Sequence, residues 1–262
     1  MNVYFPDNVF TRVLTSCLPE EIKSKIKFLP SAQITQSISD DKSSIGLIPV
    51  MDLLRHKDLF VSAGYGISFE ESLCNSYIYY SSDEKEINKI SLAGDVSSQE
   101  VILSKILFKE MYGSDIEIEI LTSLDKAEGK NLLIAGDDNF KGDRFRKGIS
   151  FSEIFVDTLS LPFVNYIFAS SDKEALEGFE KKLEGIETFI YNKFEESQEV
   201  SPLRGDKEGA DYIRLNISSF IFKFDEQDRV GIDQILRLPY FHGIVKDIVE
   251  VNFLKSPPFG ET

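Results

Sequence analysis

Hydrophobic and polar positions switch between two periods along the first third of the chain, and the switching predicts strands separated by short helices. Apolar runs at residues 2–5, 25–29 and 45–50 have strand length, whereas residues 9–17 and 31–38 place apolar side chains at helical spacing. Asp7 or Asn8 stands where a cap for the first of these helices belongs. Strands alternating with helices predict an α/β fold with a parallel sheet. Two further extended stretches follow at 59–67 and 73–81, and the acidic segment 82–89 reads as a connection between lobes.

A second α/β unit begins at Ile90. A strand over 90–93 runs into Gly94, Asp95 and Val96, after which Ser97 as N-cap and Glu100 three residues on form a capping box. Ile102, Leu103, Ile106, Leu107 and Met111 share one helical face, and Gly113 stops that helix. Strands at 116–121 and 132–135, a helix at 151–159 and a strand at 163–169 complete the unit. From Ser171, with Glu174 as the partner in a second capping box, Leu176, Phe179, Leu183, Ile186, Ile190 and Phe194 predict one long helix to about residue 196 that returns to the first lobe. Residues 197–209 read as loop, 210–221 and 225–236 as helices, and the tail from Ser256 as frayed. The organisation this predicts is a discontinuous first lobe, 1–88 with 190–262, around a second lobe, 89–189.

Composition supplies the core: 42% of residues are hydrophobic and 21 are Phe, which argues against disorder. Charge narrows the partners. Asp and Glu outnumber Lys and Arg by 44 to 29, and the resulting −15 repels phosphate backbones and anionic headgroups, which argues against nucleic acid and membrane as partners. A small anion faces the same field, so it needs a local site of aimed N–H groups. The first residues lack a signal-peptide pattern and no window has the length of a membrane span, giving a cytoplasmic expectation. Cys17 and Cys74 make no disulfide framework and are expected as reduced, buried thiols.

Candidate chemistry concentrates at strand ends. Gly94 to Ser98 lies between a strand end and a helix start, where free N–H groups and the hydroxyls of Ser97 and Ser98 would suit a carboxylate; the same spacing also describes a plain capped helix. Asp137 and Asp138 follow another strand, where clefts of open α/β sheets lie, and fit either an acid–base role or a turn that caps its own backbone. Residues 141–147 (KGDRFRK) form a basic cluster with the pattern of a solvated loop. Gly64-Tyr65-Gly66 lacks the third glycine of a dinucleotide fingerprint, and His56 and His242 have no cysteine at metal spacing. No motif calls for a cofactor or a metal.

The order of five stretches, 45–68 (IGLIPVMDLLRHKDLFVSAGYGIS), 90–113 (ISLAGDVSSQEVILSKILFKEMYG), 131–140 (NLLIAGDDNF), 159–171 (LSLPFVNYIFASS) and 221–236 (IFKFDEQDRVGIDQIL), resembles the chorismate dehydratase family of menaquinone biosynthesis by the futalosine pathway. The resemblance implies a two-lobed periplasmic-binding-protein type 2 fold with a ligand cleft between the lobes. In the family's D-T-S-S-x-T-S motif, Asp95, Ser97 and Ser98 match, while Val96, Glu100 and Val101 replace its other hydroxyls. Of the family's Y-L-N-S-x-P segment only Tyr4 agrees, of its G-P-V-x-S segment Ser76 survives, and Ser68 ends the strand before it. By resemblance, the leading expectation is a lyase that removes water from chorismate to leave an enolpyruvyl benzoate. Ser97, Ser98, Ser76 and Ser68 would then hold the small organic acid, and Asp95 or Asp137 would transfer a proton. The eroded motif leaves a second expectation, a non-catalytic cytoplasmic binding or sensor protein for a small carboxylate.

Overall fold

The computed structural model describes residues 1–82, 87–196 and 206–254. Strand β1 (Val3–Pro6), helix α1 (Val9–Cys17), the one-turn helix α2 (Glu20–Lys23), β2 (Ile26–Leu29), α3 (Ser31–Asp40), β3 (Ile45–Pro49), a 3-10 turn at Val50–Leu54 and β4 (Phe60–Phe69) begin a first sheet. The chain then builds a second sheet from β5 (Ser76–Tyr79), β6 (Lys89–Gly94), α4 (Ser98–Tyr112), β7 (Glu117–Ile120), β8 (Leu132–Ala135), β9 (Ile149–Ser150) and α5 (Phe151–Leu159). It returns with β10 (Phe163–Ser170), α6 (Lys173–Glu180), α7 (Ile186–Glu196), α8 (Lys207–Leu215), β11 (Phe220–Lys223), α9 (Glu226–Phe241) and β12 (Asn252–Phe253).

The first sheet runs β11-β4-β10-β3-β1-β2 with β12 beside β4, and the second runs β7-β6-β8-β5-β9. Both are mixed. β1 pairs in parallel with β2 and β3, whereas β10 runs antiparallel between β3 and β4; β6 is parallel to β7 and β8, while β5 is antiparallel to β8 and β9.

Sheet membership moves both lobe crossings away from the predicted boundaries. β5 belongs to the second sheet and β10 to the first, so the chain crosses at residues 70–75 and again at 160–162. β5 and β6 belong to the same sheet, so the lobe crossing expected in the acidic segment 82–89 does not fall there; residues 83–86 of that segment lie outside the described residues. At the return, Ser160 adopts φ 55° and ends α5 ahead of Pro162, and all eight residues of β10 are buried, as befits a strand with neighbours on both sides.

The long helix predicted from Ser171 is two helices. Gly185, at φ 77°, separates α6 from α7, and Asp172 rather than Ser171 caps α6 by accepting from the Ala175 N–H. The helix predicted over 210–221 ends at Leu215, because Phe220 to Lys223 pair with β4 as strand β11. Cys17 is half-buried, unlike Cys74, which is buried; both are free thiols.

One apolar core runs through both sheets, and its rings tie the lobes together. Phe10 of α1 stacks on Phe220 at 5.6 Å and meets Phe69 edge-on at 4.9 Å, and it also meets Phe140 of the second lobe at 5.9 Å. Each such buried ring contributes about 2–3 kcal/mol.

Candidate functional site

β1, β2 and β3 lie side by side and parallel, so their carboxyl ends share one edge, and each leads into a helical start there: α1, α3 and the turn at Val50–Leu54. The first N–H groups of a helix have no partner within it. Facing this edge are the carboxyl ends of β6 and β8, adjacent and in register with Gly94 beside Ala135. Both ends turn at a glycine that needs positive φ. Gly94 has φ 87°, and a Cβ there would lie 2.0 Å from the Ala135 carbonyl oxygen; Gly136 has φ 93°. Each glycine delivers the aspartate that follows it, Asp95 or Asp137, to the cleft.

Side chains of the second lobe take the N–H groups of the first. The Ser31 N–H, first residue of α3, donates to Asp95 Oδ1 at 2.8 Å, and Ser31 Oγ donates to Asp95 Oδ2 at 2.5 Å. The Val9 N–H, first residue of α1, donates to Asp137 Oδ1 at 2.8 Å. The Met51 N–H donates to Gln99 Oε1 at 3.1 Å, while Gln99 Nε2 donates to the Val164 carbonyl of β10 at 2.9 Å. Ser98 Oγ donates to Asp52 Oδ1 at 2.5 Å, and Thr35 Oγ1 donates to the other oxygen of Asp52.

Behind Asp95 runs a buried chain of donors. Because the Ser31 hydroxyl gives its proton to the carboxylate, Tyr166 OH, 2.8 Å away, donates to Ser31 Oγ; Asn75 Nδ2 lies 3.4 Å from Tyr166 OH. Tyr166 and Asn75 are fully buried. Burial first, then the nearby Asp95 and Glu100, holds the Tyr166 hydroxyl well above its ordinary pKa, so it stays a proton donor.

The start of α4, like that of α1 with Asn8 and Thr11, carries a capping box. Ser97 caps it by accepting from the Gln99 N–H, and Glu100 folds back to accept from the Ser97 N–H at 2.9 Å and from Ser97 Oγ at 2.7 Å. Ser76 Oγ donates to the second oxygen of Glu100 at 3.2 Å. The capping box read in the sequence is present, and its anion is the protein's own buried Glu100. Ser68 stands apart on β4, donating to the Phe163 carbonyl at 3.3 Å beside Asp228, and it shares no hydrogen bond with the other candidate residues among those described.

The cleft is strongly acidic. Asp7 acts on both Asp95 and Asp137, Asp138 acts on Asp137 as well, and Arg12 is engaged by Asp7 at 2.5 Å. Burial lifts the Asp137 carboxyl to about 6, with Asp7 and Asp138 adding to the effect and the Val9 N–H and Arg12 opposing it. Burial likewise raises Asp95 and Glu100 against the hydrogen bonds from Ser31 and Ser97. In the basic segment 141–147, Lys147 pairs with Asp143 and Arg146 with Glu208 at the surface, while Lys141 pairs with the Asp138 carboxylate and Arg144 donates to the Asp138 carbonyl at 2.7 Å. Among the described residues, no group of three His, Cys, Asp or Glu side chains is placed to hold a metal ion, and no helix is long and apolar enough to cross a membrane.

Solved structures of low sequence identity share this fold. The chain has the periplasmic-binding-protein type 2 fold. It is similar to the ligand-binding component of an ABC-type import system from Staphylococcus aureus with zinc bound (TM-score 0.60, 11% identity, 97% of this chain and 96% of that one). It is similar too to the alkanesulfonate-binding protein SsuA from Xanthomonas axonopodis pv. citri bound to MOPS (0.56, 13%, 98% and 98%) and to protein AF1704 from Archaeoglobus fulgidus (0.56, 8%, 93% and 98%). No protein-family model matches the chain, and no curated protein matches it in sequence.

Sequence reasoning singled out Asp95, Asp137, Ser97, Ser98 and Ser76, and it missed Ser31, Tyr166, Gln99 and Asp52. Two of the missed residues carried a signal. Tyr166 is a lone hydroxyl in the apolar run FVNYIFA, and Ser31 follows Pro30 directly at a strand-to-helix junction.

Proposed function

We propose that the chain binds a small organic acid in the cleft between its sheets, with the acid's carboxylate at the starts of α1 and α3. The observation that carries this reading is the pair of contacts at Val9 and Ser31, where backbone N–H groups at helix starts each hold a carboxylate oxygen at 2.8 Å. Donors that seat Asp95 and Asp137 suit an external carboxylate equally well. Asn8, the N-cap of α1, adds a further donor: its Oδ1 accepts from the Thr11 N–H, while its buried Nδ2 has no acceptor.

Thermal-shift measurements with chorismate, 3-hydroxybenzoate and benzoate, against benzamide and benzylamine, test the reading. The acids are expected to raise the melting temperature and benzamide is not. Stabilisation by benzylamine alone would assign the acidic cleft to a cationic ligand and overturn the proposal.

A second reading is a carbon–oxygen lyase of the chorismate dehydratase type, and the observation favouring it is Asp137. A cleft carboxyl with pKa about 6 is close to the range in which a proton is given and taken at neutral pH. Loss of water from chorismate on incubation, detected by mass and abolished in Asp137→Asn, separates catalysis from binding.

A further inference from the structure

We propose that Asp95 and Asp137 are built-in stand-ins for the ligand, which hold the cleft closed by occupying the donors of α3 and α1 until an incoming carboxylate displaces them. This rests on the binding reading above and adds a regulatory state to the same site: the resting protein is inhibited by its own side chains.

Three features of the contacts point this way. First, the geometry is that of ligand recognition rather than of ordinary lobe packing. Asp95 meets Ser31 through both oxygens, one on the backbone N–H and one on the hydroxyl, as a free carboxylate would at a helix start. Second, the two aspartates come from equivalent corners. Each follows a positive-φ glycine at the end of a second-lobe strand, and the two strands are neighbours. Third, no lysine or arginine neutralises Asp95 among its hydrogen-bond partners, and Arg12 beside Asp137 is shared with Asp7. An incoming carboxylate therefore competes at Ser31 with two hydrogen bonds from neutral donors and with no ion pair. Gln99 and Ser98 make further contacts across the same cleft, to the Met51 N–H and to the Asp52 carboxylate, and these leave the first N–H groups of α1 and α3 untouched.

Amide hydrogen exchange on the whole chain tests this without any organic ligand. In Asp95→Ala, exchange at the Ser31 N–H should quicken by at least about tenfold, as expected for loss of a charge-assisted bond. Sodium formate, which replaces the deleted carboxylate, should slow it again while leaving the wild type nearly unmoved. Asp95→Asn, whose amide oxygen still accepts from Ser31, should keep most of the protection. Should Asp95→Ala fail to fold, Asp137→Ala with Val9 as the reporting amide makes the same test.

Unchanged exchange at Ser31 and Val9, or acceleration that formate does not reverse, would overturn the stand-in role. The binding reading fails separately, when no acid stabilises either wild type or variant. Where benzoate does stabilise the wild type, Asp95→Ala should tighten it severalfold, and unchanged or weaker binding would also count against the proposal.

Discussion

Helix starts of two kinds face each other across the cleft. The start of α4 is closed locally: Ser97 and Glu100, three residues apart, satisfy each other, and Glu100 is 1% exposed. α1 has a box of the same kind, Asn8 with Thr11, and α3 has no side-chain cap; what sets these two apart is that their first N–H groups reach carboxylates 128 and 64 residues distant in sequence. A locally satisfied start is a structural joint, and removing one partner damages the helix. A start satisfied from the opposite lobe is a joint that lobe motion or a ligand can open. On the binding reading proposed above, the anion expected at Ser97 and Ser98 would sit instead at the facing edge of the first sheet.

The harshest way to break this comparison is Gly94→Ala. It forces a side chain onto a backbone at φ 87° and into the Ala135 carbonyl, so we expect a loss of roughly 3–4 kcal/mol in denaturant unfolding. The change also displaces Asp95, so Ser31 should lose amide protection. Gly113→Ala, also at positive φ but with no atom within 4 Å, should cost only about 1 kcal/mol and leave Ser31 untouched. Equal losses in the two variants would show that the corner at Gly94 is not specially constrained.

Ser97→Ala sharpens the other side. It removes a cap and one of the bonds to Glu100, and should cost about 1–2 kcal/mol of unfolding free energy. The cleft amides of Val9 and Ser31 should exchange as in the wild type. If they quicken with the loss of Ser97, the two kinds of helix start are coupled and the distinction fails.

Much of the local structure was readable because it is set by neighbours in sequence. The helix at 9–17, the capping box of Ser97 and Glu100 and the helix at 151–159 all stand where periodicity and capping place them. Sheet membership was not readable, since β5 and β10 pair with strands far along the chain and nothing in Ser76–Tyr79 or Phe163–Ser170 names its neighbour. The site divides the same way. Asp95 and Asp137 stood out as aspartates after strands, but Ser31, Tyr166 and Gln99 gain their roles from contacts across separations of 64, 135 and 48 residues. The long helix that resolved into α6 and α7 shows a third case. Its apolar period persists through Gly185, and the positive φ there breaks the rod without breaking the pattern.

The same comparison can be sharpened through the pH dependence of the crossing at Asp137. Burial raises its folded-state pKa to about 6, above the roughly 4 of an exposed aspartate, so the folded chain holds the proton more tightly. Its contribution is therefore most favourable below about pH 4 and declines as pH rises through about 6. Asp137→Asn should flatten the stability profile over that window. A wild-type profile that instead gains stability between those values, with the gain lost in Asp137→Asn, would contradict the burial of this carboxyl.

The central claim is that a carboxylate ligand takes the helix starts of the first lobe. Amide shift mapping by heteronuclear NMR during titration with benzoate and with chorismate tests it most directly. The account predicts that the amides of Val9 and Ser31 move furthest and saturably, with Met51 following as the lobes readjust. Saturable shifts confined to the far end of α4, around Lys109 and His242, or no shifts with either acid, would contradict it.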